Sequence, residues 1–166
     1  LVINGTLKFA DQKNTLSNEH LLMCGDIGDP RVNIYISGVG TLDGNCQKRQ
    51  SFAPTSGAYL FLARETTKLR ILPGLKFINA PSSAITGVEC TDVVVAGADI
   101  RFIREHGIYF STSSKDIRIA YNTLNDLAAD NMYCADAVKL RNNCSGFLIC
   151  GNTLNKSALL MPNTVR

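Results

Sequence analysis

Long apolar runs are missing from this sequence of 166 residues. No segment approaches the roughly 20 consecutive apolar residues that a membrane-spanning helix needs, and no signal-peptide pattern opens the chain. A dominant charge is missing too, because 17 basic residues stand against 14 acidic ones and no basic run exceeds the pair Lys48-Arg49. A surface that binds nucleic-acid phosphates needs clustered Lys and Arg. We therefore expect neither a membrane span nor a nucleic-acid partner.

Metal-binding patterns are absent as well. None of the six cysteines belongs to a CxxC pair, which gives zinc and redox sites little support. We expect these cysteines to be small buried hydrophobic residues. The alternative is disulfide pairing, with Cys144 and Cys150 close enough in one bend. The segment Asp126–Asn131 contains two carboxylates but lacks the spacing of an EF-hand. The sequence predicts no metal and no cofactor.

Helical periodicity is also lacking, and a repeated short strand followed by a turn takes its place. Lys115–Asp126 aligns with Ser145–Lys156 at an offset of 30 residues, and Asn-Thr-Leu-Asn recurs in full. Asp92–Ile100 and Lys68–Phe77 repeat the shape at offsets of 24, and Asn33–Leu42 is an earlier, looser copy. Periods of this length are typical of repeat architectures. The alternation has period two rather than 3.6, which excludes ankyrin-like and tetratricopeptide-like helical arrays.

These features predict an all-β fold, a right-handed three-faced parallel β-helix of roughly five to six coils. We interpret residues 1–166 as a single domain and as a piece of a longer chain. Residues 11–31 are predicted to form a loop or an irregular first coil, and residues 44–57 an insertion. In the clearest coil, the three strands are predicted at Gly107–Ser111, Asp116–Ala120 and Asn122–Asp126.

Equivalent residues should stack in ladders, because each strand pairs with its copy about 4.8 Å away in the next coil. Asn122 should stack on Asn152 at a bend, where side-chain amides can bond along the ladder. The predicted interior ladder residues are apolar: Val93, Val95, Ile117, Ile119, Leu124, Phe147, Ile149 and Leu154.

Two segments resemble a known family. Ile36–Asn45 resembles the GxGTIDGxG turn of family 28 glycoside hydrolases, the polygalacturonases, and Leu75–Pro81 resembles their LTFINSP strand. Both motifs belong to the pectin-lyase-like β-helix superfamily, which also includes phage tailspikes and appendages. The resemblance covers about residues 1–156, and its motifs are mostly structural. It implies the β-helix fold more directly than any chemistry.

The catalytic turns of that family are altered here. The NTDG turn corresponds to Arg104–Ile108, where His106 replaces the aspartate. The DDC turn corresponds to Cys134–Val138, where Asp136 matches one aspartate and Ala135 replaces the other. The family's later histidine and arginine-lysine motifs are missing. Inverting hydrolysis requires a separated acid and base, so we do not infer polygalacturonase activity.

Candidate site residues cluster in this altered region, where carboxylates and basic groups together suit acid–base cleavage or binding of an anionic polysaccharide. The same residues equally suit solvated turns at the bends of a solenoid. Tyr109, Tyr121 and Tyr133 are candidates for stacking on sugar rings, or against neighbouring coils. The predicted catalytic residues are Glu105, His106, Asp130 and Asp136. The predicted ligand-binding residues are Arg104, Asp126, Tyr133, Lys139 and Arg141.

The repeat alignment also raises a different catalytic hypothesis. Ile108 aligns with Val138 and Phe110 with Leu140, so His106 and Asp136 should be equivalent one coil apart. Ser83 precedes Ile85 by two residues and would hold the same position one coil earlier. A Ser83–His106–Asp136 column would then contain the residue types of a nucleophilic triad.

Three functions suit this sequence. The first is a glycan-directed β-helix of a phage tailspike or appendage, which binds or cleaves a bacterial surface or cell-wall polymer. The resemblance implies a homotrimer located in the virion tail. The second is a secreted, extracellular pectin-lyase-like hydrolase, lyase or epimerase that acts on a uronic acid polymer. The third is a structural rod without catalysis.

Overall fold

A computed structural model describes residues 1–9, 20–45, 57–127 and 136–155. These residues contain sixteen short strands. In chain order they are β1 Thr6–Lys8, β2 His20–Cys24, β3 Arg31–Ile36, β4 Thr41–Asp43, β5 Tyr59–Arg64, β6 Thr66–Ile71, β7 Lys76–Ile78, β8 Ile85–Val88, β9 Thr91–Ala96, β10 Asp99–Ile103, β11 Ile108–Ser111, β12 Lys115–Ala120, β13 Thr123–Leu127, β14 Val138–Leu140, β15 Ser145–Cys150 and β16 Thr153–Asn155.

Every third strand joins the same parallel sheet. Sheet 1 has the order β1-β4-β7-β10-β13-β16, sheet 2 the order β14-β11-β8-β5-β2, and sheet 3 the order β15-β12-β9-β6-β3. The chain therefore winds as a right-handed, three-faced parallel β-helix. Five complete coils follow β1 in the described part of the chain, which confirms the predicted fold class. The strand β2 falls within residues 11–31, and most of the insertion predicted at 44–57 lies outside the described residues.

The predicted register is confirmed in the last three coils. Ile117 pairs with Val93 on one side and with Phe147 on the other. The Asn122 side chain accepts a hydrogen bond from the Ala98 amide, 24 residues earlier, and its own amide groups bond to Asn152, 30 residues later. The repeat offsets read from the sequence are thus the lengths of these coils.

Inward-facing apolar ladders form one continuous core. The side chains of Val93, Val95, Ile117, Ile119 and Leu124 are at most 1% exposed, as predicted. The prediction that Phe147, Ile149 and Leu154 are buried is wrong, because these side chains are 51%, 42% and 54% exposed. They pair with Ile117, Ile119 and Leu124 as predicted, but they belong to the last described coil. Among the described residues, nothing packs on their far side.

A column of hydroxyl and thiol side chains secures the bend between sheets 2 and 3. Thr66 donates to the Arg64 carbonyl at 2.9 Å, and Ser114 to the Ser111 carbonyl at 2.7 Å. Cys90 and Cys144 occupy the same register position and hydrogen-bond to carbonyls two and three residues earlier, at 3.5 and 3.1 Å. These thiols therefore take the place that serine or threonine holds in the equivalent coils, and they bond to backbone carbonyls of the same bend.

The described cysteines, Cys24, Cys90, Cys144 and Cys150, are free thiols. Burial raises the pKa of Cys90 to about 11, so this thiol stays protonated at neutral pH. The alternative of a Cys144–Cys150 disulfide is wrong. These residues lie at opposite ends of β15, and roughly 20 Å of extended strand separates them, whereas a disulfide needs α-carbons within about 7 Å. Cys46 and Cys134 lie outside the described residues.

Candidate functional site

The candidate site lies where the chain enters sheet 2. Glu105 and His106 form the short connection from β10 to β11, and Asp136 stands two residues before β14. Ile108 pairs with Val138, so His106 and Asp136 hold equivalent positions in adjacent coils. The Gly107 amide donates to the Asp136 carbonyl at 3.0 Å and thus extends the ladder into the bend. The register predicted for these two residues is confirmed.

The imidazole of His106 lies at the centre of this site. Its Nδ1 lies 3.4 Å from Asp136 Oδ2, and its Nε2 lies 3.4 Å from Glu105 Oε1. The Nζ atom of Lys139 lies 3.2 Å from Nε2 and 3.3 Å from Asp136 Oδ2. Two carboxylates and an ammonium group from two coils therefore surround one ring. We call Glu105, His106, Asp136 and Lys139 the His106 cluster.

Hydrogen-bond donors assign the tautomer of this ring. The Asp136 amide donates to His106 Nδ1 at 3.3 Å, which requires a lone pair on that nitrogen. In the neutral imidazole, Nε2 then carries the proton and donates to Glu105. Lys139 in turn pairs with Asp136. With this tautomer, the approaches of Nδ1 to Asp136 Oδ2 and of Nε2 to Lys139 Nζ are close contacts and not hydrogen bonds.

Burial divides the cluster into an inner and an outer layer. The side chains of His106 and Asp136 are only 5% and 4% exposed, whereas those of Glu105 and Lys139 are 33% and 30% exposed. The Oδ1 atom of Asp136 is buried and has no hydrogen-bond partner. A dissolved ligand can therefore reach one carboxylate and one ammonium, which are joined through a buried ring.

Glu105 is held in its charged form. Desolvation by burial acts to raise the pKa of this carboxyl group, but hydrogen bonds from His106 and Ser82 and the charges of His106 and Lys139 outweigh it. The net effect lowers the pKa below its ordinary value. The Ser82 hydroxyl, one coil earlier, donates to Glu105 Oε2. Glu105 is therefore suited to accept a proton or a hydrogen bond, and not to act as a general acid.

Tyr109 places an aromatic ring beside the cluster. Its ring centroid lies 5.4 Å from that of His106, with the planes tilted by 53°. Ile108 and Phe110 on either side of it are fully buried, so Tyr109 points outward from sheet 2. Lys139 pairs in register with Tyr109 and therefore points outward as well. A half-buried phenol ring thus stands next to the accessible part of the His106 cluster.

The structure aligns Ser83, His106 and Asp136 in one column, but it does not give them the hydrogen bonds of a catalytic triad. Ile85 pairs with Ile108, so Ser83 does align with His106 and Asp136. The Ser83 hydroxyl, however, is buried and has no hydrogen-bond partner. His106 Nε2 faces Glu105 and Lys139 instead. The serine–imidazole hydrogen bond that activates a triad nucleophile is therefore missing.

The other predicted site residues are more dispersed. Arg104 precedes the cluster and its amide donates to the Ala80 carbonyl at 3.2 Å, and the exposed Arg141 follows β14. Asp126 belongs to β13 of sheet 1. Asp130 and Tyr133 lie outside the described residues. The structure thus brings together Glu105, His106, Asp136 and Lys139 from the predicted set.

Sequence reasoning missed Ser82, His20 and Tyr59. Ser82 contacts Glu105, and the alignment of Ser83 with His106 already placed Ser82 one coil below Glu105. His20 and Tyr59 are paired in register in adjacent coils of sheet 2, and their rings stack. Their relation was hidden because the residues at 44–57, which separate them in sequence, break the repeat period.

No protein family, curated protein or solved structure matches this chain in comparisons with known proteins. The likeness to polygalacturonases and tailspikes therefore rests on the sequence motifs alone. In the described ranges, no three His, Cys, Asp or Glu residues are arranged to hold a metal ion. The same ranges contain no helix long and apolar enough to cross a membrane.

Proposed function

We propose that this protein is a glycan-directed β-helix whose His106 cluster binds an anionic polysaccharide on the outer face of sheet 2. One observation carries the proposal. Two carboxylates and a lysine from adjacent coils converge on a single buried imidazole, and the outer carboxylate and the lysine stay accessible. A solvated turn needs no such buried, interconnected cluster, because charged residues at turns are ordinarily exposed.

The chemistry of the outer layer fits sugar units that carry a carboxylate. Lys139 offers ammonium hydrogens to a uronate group, and the charged Glu105 accepts hydrogen bonds from sugar hydroxyls. Tyr109 offers an aromatic face to the C–H groups of a pyranose ring. The buried His106 and Asp136 hold the two accessible groups in place.

Cleavage is an extension of this proposal, and the charged state of Glu105 favours a role for it as base. In an elimination, Glu105 would take the C5 proton next to the uronate carboxyl group while Lys139 neutralises that carboxylate. A C4–C5 double bond forms, the glycosidic C4–O bond breaks, and the departing sugar oxygen takes a proton from water. Hydrolysis with Glu105 as general acid is less suited, because a lowered pKa withholds the proton that the leaving group needs.

The polymer and the assembly are part of the proposal. We assign the protein to a phage tailspike or appendage that recognises a bacterial surface polysaccharide or cell-wall polymer, with a homotrimer as its assembly. The free thiols support assembly in a reducing compartment. Sedimentation should then give a trimer, and a stable monomer would count against the virion assignment.

Binding to a panel of polysaccharides tests the central proposal. The panel contains polygalacturonate, alginate and neutral dextran, with released reducing ends and unsaturated products followed in parallel. We expect the protein to bind a uronate polymer and not dextran. Glu105→Gln and Lys139→Met should each weaken binding at least about tenfold, which is the cost of one lost charged contact.

Matched controls remove the same charges elsewhere. Glu89 and Lys115 are both exposed. Glu89 lies at the bend between sheets 2 and 3, and Lys115 lies in β12 of sheet 3. Glu89→Gln and Lys115→Met should leave binding unchanged. If all four variants bind equally well, the His106 cluster is not the site. If the unmodified protein binds no glycan at all, a structural rod becomes the better account.

A further inference from the structure

The neutral ring of His106 leaves two of its four close contacts mismatched. On one side, Nδ1 and Asp136 Oδ2 both carry lone pairs and face each other across 3.4 Å. On the other side, the Nε2–H group and the Lys139 ammonium are both donors, with their nitrogens 3.2 Å apart. Each ring nitrogen therefore has one matched partner, the Asp136 amide or Glu105, and one mismatched neighbour.

A proton on Nδ1 reverses the match on both sides of the ring. Nδ1–H can then donate to Asp136 Oδ2, and Nε2–H keeps its partner Glu105. This new ion pair replaces the bond from the Asp136 amide, and it is strong because both side chains are at most 5% exposed and water screens them little. The positive ring also repels the Lys139 ammonium. Protonation therefore pairs the ring with both carboxylates and drives Lys139 toward solvent.

The same proton changes the charge that a ligand meets. Among the described residues, the titratable groups that face the ring are Glu105 and Tyr109 on its own coil and Asp136 and Lys139 on the next. The preceding coil contributes the uncharged Ser82 and Ser83. Two carboxylates and one ammonium leave the cluster with a net negative charge, which a positive ring cancels. A polyanion is then repelled less and finds a freer ammonium.

We propose that His106 is a pH switch for the His106 cluster, whose protonation moves Lys139 away from the ring and strengthens the binding of a uronate polymer. This inference rests on the proposed function. It adds that the site binds its anionic ligand more tightly in mildly acidic solution, within the range of about pH 5 to 8 where imidazoles change charge. Because coupling between two binding events is reciprocal, the bound polymer should in turn favour the protonated ring.

Titration calorimetry between pH 8 and pH 5.5, with six-unit oligomers prepared from polygalacturonate and from alginate, tests the switch. The affinity should rise at least about fivefold toward pH 5.5, the lower end of usual coupling between sites. Glu105 stays charged throughout, because its pKa is lowered. His106→Gln keeps a polar side chain that does not titrate and should abolish the rise. The chain has only one other histidine, His20, and His20→Gln should retain the rise.

A second readout needs no variant. The NMR signals of the His106 ring should titrate at a pH about 0.7 higher with the oligomer bound than without it, which is the same fivefold coupling seen from the proton. An unchanged midpoint, or equal affinities across the pH range, overturns the switch and leaves the His106 cluster as the binding site. A rise that survives in His106→Gln also overturns it. Binding of neither oligomer at any pH overturns both proposals.

Discussion

Single residues in the core fit one another from coil to coil, and Gly87 shows how closely. Gly87 pairs directly with Phe110 of the next coil. A β-carbon added at Gly87 would overlap the edge of the Phe110 ring, so the ring fills the space that a side chain would take. The ladder runs Ala63, Gly87, Phe110 and Leu140, so small residues in two coils precede the large residues of the next two. Such complementary sizes give a solenoid core the close packing of other protein interiors.

Gly87→Ala is therefore expected to destabilise the protein by about 1–3 kcal/mol, because overpacking a rigid core forces strain on its neighbours. Phe110→Leu in the same chain should relieve this strain. The double variant should then cost less than the sum of the two single variants in chemical denaturation. Strictly additive costs would show that the two side chains do not compete for space.

The carboxyl group of Glu105 is expected to make the free energy of unfolding depend on pH. Its pKa in the folded state is below the ordinary value of 4.5. The unfolded chain therefore takes up the proton first as the pH falls, and the stabilising contribution of the carboxylate, present above pH 4.5, is lost as the pH falls through the lowered folded value.

The free energy of unfolding, measured by urea titration from pH 7 to pH 2.5, tests this. The difference between the unmodified protein and Glu105→Gln should be constant above about pH 5 and should shrink below pH 4.5. Glu89→Gln serves as the control, since it changes an exposed carboxylate at another bend. A difference that stays constant down to the lowest pH would contradict the assignment of the shift to Glu105.

At the scale of the elements, bends are secured by side chains that replace missing backbone bonds. Asn122 is the clearest example. Its amide nitrogen donates to the Val95 carbonyl at 3.0 Å and to Asn152 Oδ1 at 2.9 Å, and its oxygen accepts from the Ala98 amide at 2.9 Å. Asn152 repeats the pattern with a 3.0 Å bond to the Ile119 carbonyl. The ladder joins three coils at the entrance to sheet 1.

Asn122→Ala should cost about 2–4 kcal/mol, because it leaves buried backbone groups without partners. Asn125→Ala is the matched control, since Asn125 is only half-buried and lies three residues further along, in β13. That variant should change the free energy of unfolding by less than about 0.5 kcal/mol. Equal costs for the two variants in thermal or urea unfolding would show that the ladder contributes nothing specific.

The ladders could be predicted where the sequence repeat is regular, and contacts could not be predicted where the repeat is interrupted. The stacking of Asn122 on Asn152 and of Ile117 on Phe147 followed from an unbroken offset of 30 residues. The stack of His20 on Tyr59 did not, because the insertion between them breaks the period. Register also fixes only the position of a side chain in its coil. It therefore placed Ser83 beside His106 but could not show that the imidazole turns toward Glu105 and Lys139.

At the scale of the whole molecule, the described residues form a stack of five coils that share one core. Among these residues, the His106 cluster and the stacked rings of His20 and Tyr59 lie along the entrance to sheet 2. Sheets 1 and 3 carry exposed ion pairs instead, such as Arg31 with Asp29 and Arg101 with Asp99, which contribute little free energy. We therefore assign glycan binding to one side of the β-helix.

Hydrogen–deuterium exchange with and without a saturating uronate polymer tests that assignment most directly. We expect slower exchange in the connection before β11 and in β11 and β14, with no change in sheets 1 and 3. Slower exchange confined to sheet 1 or sheet 3, or no change anywhere while the polymer is bound, would contradict it.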